Sequence, residues 1–138
     1  MSTDDQQPTA HEHASSVLMQ ISNTMVRLYK DQFGRGPTSA RTHWAGPDML
    51  ITLLESTLTP AERNLVAMDE HQRIRDTRAF FQYATVQEFC QPVEDITGRV
   101  VRAFHSSIDT RRDGQSAEVF VLYPEGREGP SRATEPQG

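Results

Sequence analysis

The chain has 138 residues, of which 36% are hydrophobic and 24% are charged, and its formal net charge is −5. This length suits one globular domain and is too short for two of ordinary size. The acidic balance argues against a general nucleic-acid-binding function, because such proteins need a basic face for phosphate contacts. The single cysteine excludes an intrachain disulfide, and no run approaches the ~20 apolar residues of a membrane span. We therefore expect a cytoplasmic protein without a membrane span of its own.

Both ends of the chain contain few side chains that a core would bury. Residues 1–14 are mostly polar, and residues 124–138 combine proline, glycine and charged side chains. Segments of this composition do not bury enough apolar surface to offset the entropy lost on ordering. The sequence therefore predicts two disordered tails around a single folded domain at residues 15–123.

The first predicted helix occupies residues 16–33. Apolar side chains recur there at spacings of three and four, at Leu18, Ile21, Met25, Leu28 and Tyr29. The hydroxyl of Ser15 or Ser16 is expected to cap its start. Gly34 is expected to end it, because glycine readily adopts the left-handed conformation at a helix C-terminus.

The loop that follows this helix is the candidate site. Residues 34–41 place two arginines beside flexible backbone, and converging N–H groups with forked guanidinium donors suit a carboxylate or a phosphate. The other interpretation is a helix C-cap with solvated arginines. The candidate residues for contact with a partner or an anion are Arg35, Gly36, Pro37, Thr38 and Arg41.

Two hairpins are predicted, one on each side of a long helical region. The first pairs residues 40–44 with residues 49–54 through a Gly-Pro-Asp turn. The second pairs residues 99–108 with residues 118–123 through a loop that ends in Asp-Gly. The strand at residues 49–54 is apolar on both faces. We expect one face to meet the helices and the other to meet a second subunit or another protein layer.

The helical region is predicted to cover residues 60–97 with interruptions. Thr59 caps its start, and Glu62 completes a capping box. The apolar pattern loosens at residues 68–71, and Pro92 is expected to kink or break the helix. The core candidates of this region are Ile74, Phe81, Phe89, Val93 and Ile96.

Together these elements predict an α+β fold of two layers. One mainly antiparallel four-stranded sheet is covered by helices, in the chain order α-β-β-α(α)-β-β. The helices are expected on one face of the sheet, because each element must bury its apolar side against another layer.

No group of polar residues has the spacing of a catalytic or metal site. The five histidines form no HExxH or Cys/His pattern. Cys90 has no base beside it in the sequence, so we interpret it as a small core residue. We therefore expect no enzyme activity, no metal and no cofactor.

Three arginines stand close together in the helical region, at Arg73, Arg75 and Arg78. Arginine stems commonly lie over apolar surface while the charged heads stay in water, which favours a solvated basic face. The alternative interpretation is a docking stripe for an acidic partner.

Several short motifs, taken together, resemble the MpsC family. They occur in the family's order and cover roughly residues 16–123. The motifs are Ile21-Ser22-Asn23, Leu28-Tyr29-Lys30, residues 33–38, residues 58–62, residues 93–99 and residues 118–122. The resemblance implies a small bacterial cytoplasmic protein associated with a sodium-translocating, membrane-potential-generating system linked to inorganic carbon supply. It also implies a neighbouring membrane subunit that resembles proton-pumping dehydrogenase subunits, and it supplies no catalytic residues.

The leading hypothesis is a non-catalytic accessory protein, homodimeric, that binds a membrane transporter or dehydrogenase-like subunit of a sodium or bicarbonate system. One alternative is a sensor that binds a small anion at residues 34–41. Another is an RNA-binding module, because KH modules also clamp a backbone with a glycine loop. The acidic charge and the lack of a Gly-x-x-Gly motif weigh against that last alternative, so no nucleic-acid partner is expected.

Overall fold

A computed structural model of the chain describes residues 9–134. In chain order, its elements are α1 (Ala10–Phe33), β1 (Ser39–Trp44), β2 (Met49–Glu55), α2 (Pro60–Ala67), α3 (His71–Ala84), α4 (Val86–Thr97), β3 (Val101–Ile108), β4 (Ser116–Leu122) and a short 3₁₀ helix (Arg132–Thr134). The predicted α+β class is confirmed, with three helices between the two hairpins. Within the described range, no helix combines the length and the hydropathy needed to cross a bilayer.

Helix α1 begins earlier than the sequence predicted. The Thr9 hydroxyl accepts a hydrogen bond from the Glu12 backbone N–H at 3.1 Å, and the Glu12 carboxylate accepts one from the Thr9 backbone N–H at 3.2 Å. This capping box supplies partners for N–H groups that a helix start leaves free. Residues 10–14 are therefore helical rather than disordered, and residues 1–8 of the predicted tail lie outside the described residues. Gly34 ends the helix as predicted, with a φ of +80°.

The four strands form one antiparallel sheet in the order β1-β2-β4-β3. Both predicted hairpins form, and they join through their second strands, so β2 and β4 lie at the centre. Alternate residues of these central strands face the helices, and Leu50, Leu54, Phe120 and Leu122 are buried there. The helices therefore cover one face of the sheet, as the α+β prediction required.

The loop of the second hairpin requires glycine at one position. Gly114 has a φ of +78°, and a Cβ atom there would lie 2.5 Å from the Leu58 Cγ. Its carbonyl accepts hydrogen bonds from the Thr57 backbone N–H and hydroxyl, each at 2.9 Å. Only glycine fits a left-handed position this close to a neighbouring side chain, so this contact ties the hairpin loop to the segment that leads into α2.

The helical region is interrupted at two places. The first interruption falls at residues 68–70, close to the prediction. The second falls at Thr85, whose hydroxyl donates to the Phe81 carbonyl at 2.6 Å. The helix does not break at Pro92, because α4 continues through that residue to Thr97. A proline removes one hydrogen bond from the helix, and burial of the apolar side of α4 in the core keeps the helix in place.

The core lies between the sheet and the helices. Of the predicted core residues, three are buried and two are half-buried: Ile74, Phe89 and Val93, then Phe81 and Ile96. Cys90 is also buried, as predicted. The Phe104 ring stacks between Phe89 and Phe120, with centroid distances of 5.6 Å and 5.1 Å. These contacts join α4 to β3 and β4 through aromatic packing.

The C-terminal segment packs against the domain instead of forming a tail at residue 124. Ala133 is buried within the core cluster. The Ser131 hydroxyl donates to the Glu94 carboxylate at 2.5 Å, which anchors the segment to α4. The folded part of the chain therefore extends past the predicted boundary, and residues 135–138 lie outside the described residues.

Candidate functional site

The predicted contact loop places its two arginines in different surroundings. Arg35 is half-buried and donates from Nη1 to the Leu58 carbonyl at 3.4 Å. Arg41 is exposed on β1, opposite Leu53 of β2. Arg35 thus faces the segment before α2, whereas Arg41 faces the side of the sheet away from the helices.

The middle of the loop is held by α1 and β2. Gly36 and Pro37 are half-buried, and a Cβ atom on Gly36 would lie 3.5 Å from the Val26 Cγ1. The Thr38 N–H donates to the Glu55 carbonyl at 3.0 Å, which starts the pairing of β1 with β2. The loop is therefore a fixed connection, and its contact with a partner or an anion stays a prediction.

The face of the sheet that points away from the helices carries apolar side chains. They alternate with the buried residues of the central strands, and each is half-buried by its neighbours: Met49, Ile51, Leu53, Ala117, Val119 and Val121. Among the described residues, none of the six belongs to the hydrophobic core cluster or packs against it. We call this surface the open face. β2 thus buries one apolar side under the helices, as predicted, and leaves the other outside the core. The contact of that second side with another subunit or protein layer stays a prediction.

The open face has an apolar centre and polar edges. Ile51 pairs with Val119 across the centre of the sheet. On the two edge strands, His43 lies opposite Ile51 and His105 lies opposite Val119. Arg41 lies two residues from His43 on the same edge. An apolar centre with a polar rim is the usual composition of a protein–protein interface.

A buried carboxyl lies on the other side of the sheet, beneath the helices. Glu118 of β4 is 1% exposed. Its Oε1 accepts hydrogen bonds from the Tyr29 hydroxyl at 2.5 Å and from the Ser106 hydroxyl at 2.8 Å. Its Oε2 has no hydrogen-bond partner among the described residues. A buried polar atom without a partner is rare in folded proteins and calls for a physical explanation.

Burial raises the pKa of the Glu118 carboxyl to about 7, because the charged form loses its hydration. Hydrogen bonds from Tyr29 and Ser106 and the charge of Arg78 act in the opposite direction. Burial, followed by the charge of Glu118, raises the pKa of the Tyr29 phenol well above its ordinary value. Tyr29 therefore stays a hydrogen-bond donor, while Glu118 gains or loses its proton near neutral pH.

A cavity of about 190 Å³ lies beside Glu118, between the helices and the second hairpin. Its aromatic wall consists of Phe33, Phe81, Phe89 and Phe104. Gln32 also lines it, and its Oε1 is a second buried acceptor without a partner among the described residues. We call this space the Glu118 cavity.

Arg78 is held in one position at the edge of this cavity. Its side chain is 9% exposed and donates to both carboxylate oxygens of Glu62 at 2.7 Å and to the Thr57 carbonyl at 2.8 Å. The guanidinium carbon also lies 4.0 Å from the centroid of the Phe33 ring, in a cation–π contact. The predicted solvated basic face is therefore wrong for Arg78, although the other two arginines are exposed. The reason is a buried ion pair with a residue 16 positions away.

The motif at residues 93–99 has a structural role. The Arg99 guanidinium donates to the backbone carbonyls of Pro47 at 2.8 Å and Tyr123 at 2.7 Å, and to the Asp48 carboxylate at 2.5 Å. These bonds join the turn of the first hairpin to the end of β4, so Arg99 of this motif holds these two segments together.

Sequence reasoning missed Glu118 as a candidate residue. The strand that contains it is almost wholly apolar, and alternation places Glu118 on the same side as Phe120. An acidic residue on the core-facing side of a central strand was the signal available. The burial of the carboxyl depends on α1 and α3, whose position the strand sequence does not contain.

The Glu118 cavity offers hydrogen-bond acceptors and an apolar wall, which is the chemistry of binding. In the described part of the chain, no three His, Cys, Asp or Glu side chains come together as a metal-binding group. The nearest hydroxyl groups, those of Tyr29 and Ser106, are donors to Glu118. An apolar wall beside a few buried polar groups is the usual composition of a small-molecule pocket.

These features define a small α+β domain with one sheet face under helices, one open apolar face and a partly open cavity beside Glu118. The chain belongs to the MpsC family, described as the Na+-translocating membrane potential-generating system (MpsC), which matches residues 14–123. It is 32% identical over 108 residues to the "Uncharacterized protein YbcI" of Bacillus subtilis (strain 168), a match that covers 78% of this chain and 86% of that protein. No solved structure matches the chain. The family resemblance inferred from the motifs is confirmed.

Proposed function

We propose that this protein is a non-catalytic accessory protein that forms a homodimer through the open face. It would act in the cytoplasm, at the inner face of the membrane, by binding a transporter or dehydrogenase-like subunit of a sodium-translocating or bicarbonate-supply system. The family description supports the link to a sodium system. The observation that carries the dimer is the open face, whose six apolar side chains lie outside the core cluster among the described residues.

The size of the open face suits a second copy of the chain. Four strands about 4.8 Å apart, each about seven residues long at roughly 3.4 Å per residue, give a plane of roughly 450 Å². Two such planes, one from each subunit, total roughly 900 Å², and the side chains that project from them add further area. This total is close to the roughly 1,000 Å² of buried surface that a specific interface needs.

The chemistry of the open face also suits a second copy. A twofold axis brings the same patch of both subunits together, so the patch must be complementary to itself. The central strands meet this requirement, because their open positions are uncharged and apolar from Met49 to Leu53 and from Ala117 to Val121. The charged Arg41 lies on the edge strand, where it would stay hydrated at the rim.

The dimer is tested by exchanging one cross-strand pair of the open face for an ion pair. Ile51 and Val119 are direct partners, so the variant Ile51→Lys/Val119→Glu removes apolar surface while preserving an attractive pair within the sheet. We expect sedimentation equilibrium to give the mass of two chains for the wild type and of one chain for the variant, with unchanged circular dichroism.

The control for this experiment is Phe80→Lys on α3. Phe80 is 70% exposed, so the substitution removes a large apolar group from a different surface. We expect this variant to remain dimeric. A monomeric wild type, or a dimer that dissociates only on Phe80→Lys, would contradict the proposed interface.

The accessory role is tested by affinity capture from detergent-solubilised native membranes. We expect the wild type to recover an integral-membrane subunit of a cation-translocating system, and the variant Arg35→Ala/Arg41→Ala to lose it while remaining dimeric. The double variant tests the predicted contact loop, because these side chains flank it. Recovery of nothing but the protein itself would contradict the accessory role and leave the dimer intact.

A further inference from the structure

The Glu118 cavity is independent of the open face, because Glu118 lies on the helix-covered side of β4. Its volume of about 190 Å³ exceeds the ~150 Å³ of an engineered apolar cavity that binds benzene. The four phenylalanine rings in its wall give it an apolar surface suited to another ring. The space is therefore large enough for one or two fused rings that carry a small polar group.

Two acceptor atoms determine which polar group fits. Glu118 Oε2 and Gln32 Oε1 are both buried, and neither has a hydrogen-bond partner among the described residues. Glu118 Oε1 already accepts two hydrogen bonds, from Tyr29 and Ser106. Leaving a buried acceptor without a donor costs more free energy of folding than an ordinary hydrogen bond contributes on balance. A ligand that supplies an N–H or O–H group would remove that penalty.

The charges around the cavity favour an uncharged ligand. Arg78 from α3 is paired with Glu62, and Arg75 from the same helix is an exposed cation at the edge of the cavity. A cationic ligand would meet the charge of Arg75, and an anionic ligand would meet ionised Glu118. The other titratable groups that line the cavity are Tyr29 from α1 and Glu118 itself. An additional buried charge would need its own partner, whereas a neutral donor needs only the free carboxyl oxygen.

We propose that the Glu118 cavity binds a small uncharged molecule with an apolar body of one or two fused rings and one N–H or O–H group, which donates to Glu118 Oε2. The rings would pack against the phenylalanine wall, and the donor would fix the orientation. This is the usual composition of a small-molecule site, in which a few placed polar groups give specificity to an apolar pocket.

The proposed contact depends on pH. Because Oε1 accepts two hydrogen bonds, the proton of neutral Glu118 is placed on Oε2, where it competes with a donor from the ligand. The other charged or titratable groups that line the cavity are Arg75 and Arg78 from α3 and Tyr29 from α1, and the residues that line it from α4 and β3 are uncharged. Binding of a donor should therefore strengthen as pH rises through the pKa of about 7.

The test compares indole with indene, two molecules of the same shape of which only indole has an N–H group. Binding is measured by calorimetry on the full chain at about pH 8.5 and about pH 5.5, on either side of the Glu118 pKa. We expect indole to bind at least about tenfold more tightly than indene at the higher pH, as a hydrogen bond to a charged acceptor should give. The two affinities should approach each other at the lower pH.

Two variants assign the binding to this cavity. Glu118→Gln keeps the volume but places an amide donor at the position of Oε2, so it should remove the preference for indole and leave indene unchanged. Ala79→Phe adds bulk from an exposed helix position that lines the cavity, so it should abolish the binding of both compounds. Circular dichroism confirms that each variant is folded.

Three results would overturn the proposal. The first is no binding of either compound at either pH. The second is equal binding of indole and indene at about pH 8.5, above the Glu118 pKa, because the donor would then play no part. The third is displacement of indole when sodium chloride replaces choline chloride, which would identify a cation site instead. The oligomeric state is unaffected by any of these results, so the proposal fails separately from the dimer.

Discussion

Glu118 is an ionisable group inside a wall of aromatic rings, and the fold favours its neutral form. Its pKa rises from an ordinary value of 4.5 to about 7, mainly through burial. A folded-state pKa above the unfolded value stabilises the protein below pH 4.5, and this contribution is lost as pH rises through about 7. The interval between the two pKa values corresponds to roughly 3 kcal/mol of the free energy of unfolding.

The variant Glu118→Gln tests this dependence, because the amide cannot ionise. Between about pH 4.5 and about pH 8 we expect the wild type to lose roughly 3 kcal/mol of unfolding free energy relative to the variant. Urea unfolding across this pH range measures the difference in unfolding free energy between the two proteins. The contributions of the other titrating groups cancel in that difference, because both proteins contain them. Parallel stability profiles for the two proteins would contradict the buried, neutral carboxyl.

At the scale of elements, the position of α2 depends on one ion pair. The helix buries none of its own residues. Glu62 joins it to α3 by pairing with Arg78 and also completes the capping box with Thr59. Burial opposes ionisation of Glu62, but hydrogen bonds from Arg78 and the Thr59 backbone lower its pKa. The apolar side chains Leu65 and Val66 of α2 are only half-buried, so the buried ion pair is a main contact between α2 and α3.

Removing one partner of this ion pair should lower the free energy of unfolding more than removing both partners. Arg78→Met leaves the Glu62 carboxylate partly buried without its cation, so we expect a loss of about 3 kcal/mol in the free energy of unfolding. Glu62→Gln/Arg78→Met should recover part of that loss, as a double-mutant cycle in denaturant would measure.

Arg73→Met is the matched control on the same helix. Its ion pair with Glu70 is exposed, with 71% and 41% of the two side chains accessible, so the expected change is below about 0.5 kcal/mol. A loss for Arg78→Met as small as that of the control would show that the buried pair does not hold α2.

At the scale of the whole molecule, the folded unit is longer than the region shared with the family. The family match ends at residue 123, yet the chain continues along α4 to the buried Ala133. The Ser131–Glu94 hydrogen bond and the burial of Ala133 are the contacts that a shorter protein would lose. The segment thus completes one side of the core for this chain.

Truncation tests this contribution directly. A chain that ends at residue 123 should unfold with a free energy about 1–3 kcal/mol smaller, since it loses hydrogen bonds to a charged group and a buried side chain. A chain that ends at residue 134 is the control and should match the full length. Differential scanning calorimetry gives both values, and equal transition temperatures for all three proteins would show that the segment adds no stability.

The sequence by itself determined the elements of this protein, because their signals lie within a few residues of one another. The apolar spacing of α1, the Gly34 cap, the Thr59–Glu62 capping box and the two hairpin turns depend on neighbours in the chain. The α+β class and the family follow from the order of these elements and their motifs. Two local predictions were wrong: α1 starts at the Thr9–Glu12 capping box, a local signal that was missed, and α4 does not break at Pro92 because its apolar side is buried in the core.

The tertiary structure alone decided which distant residues meet. Tyr29 and Glu118 are 89 residues apart, and Arg78 finds Glu62 across a helix break. The order of the strands, the separation of Arg35 from Arg41 and the packing of Ala133 are likewise set by contacts between elements. Such contacts depend on how the apolar faces of whole helices and strands are buried together, so no short stretch of the sequence contains them.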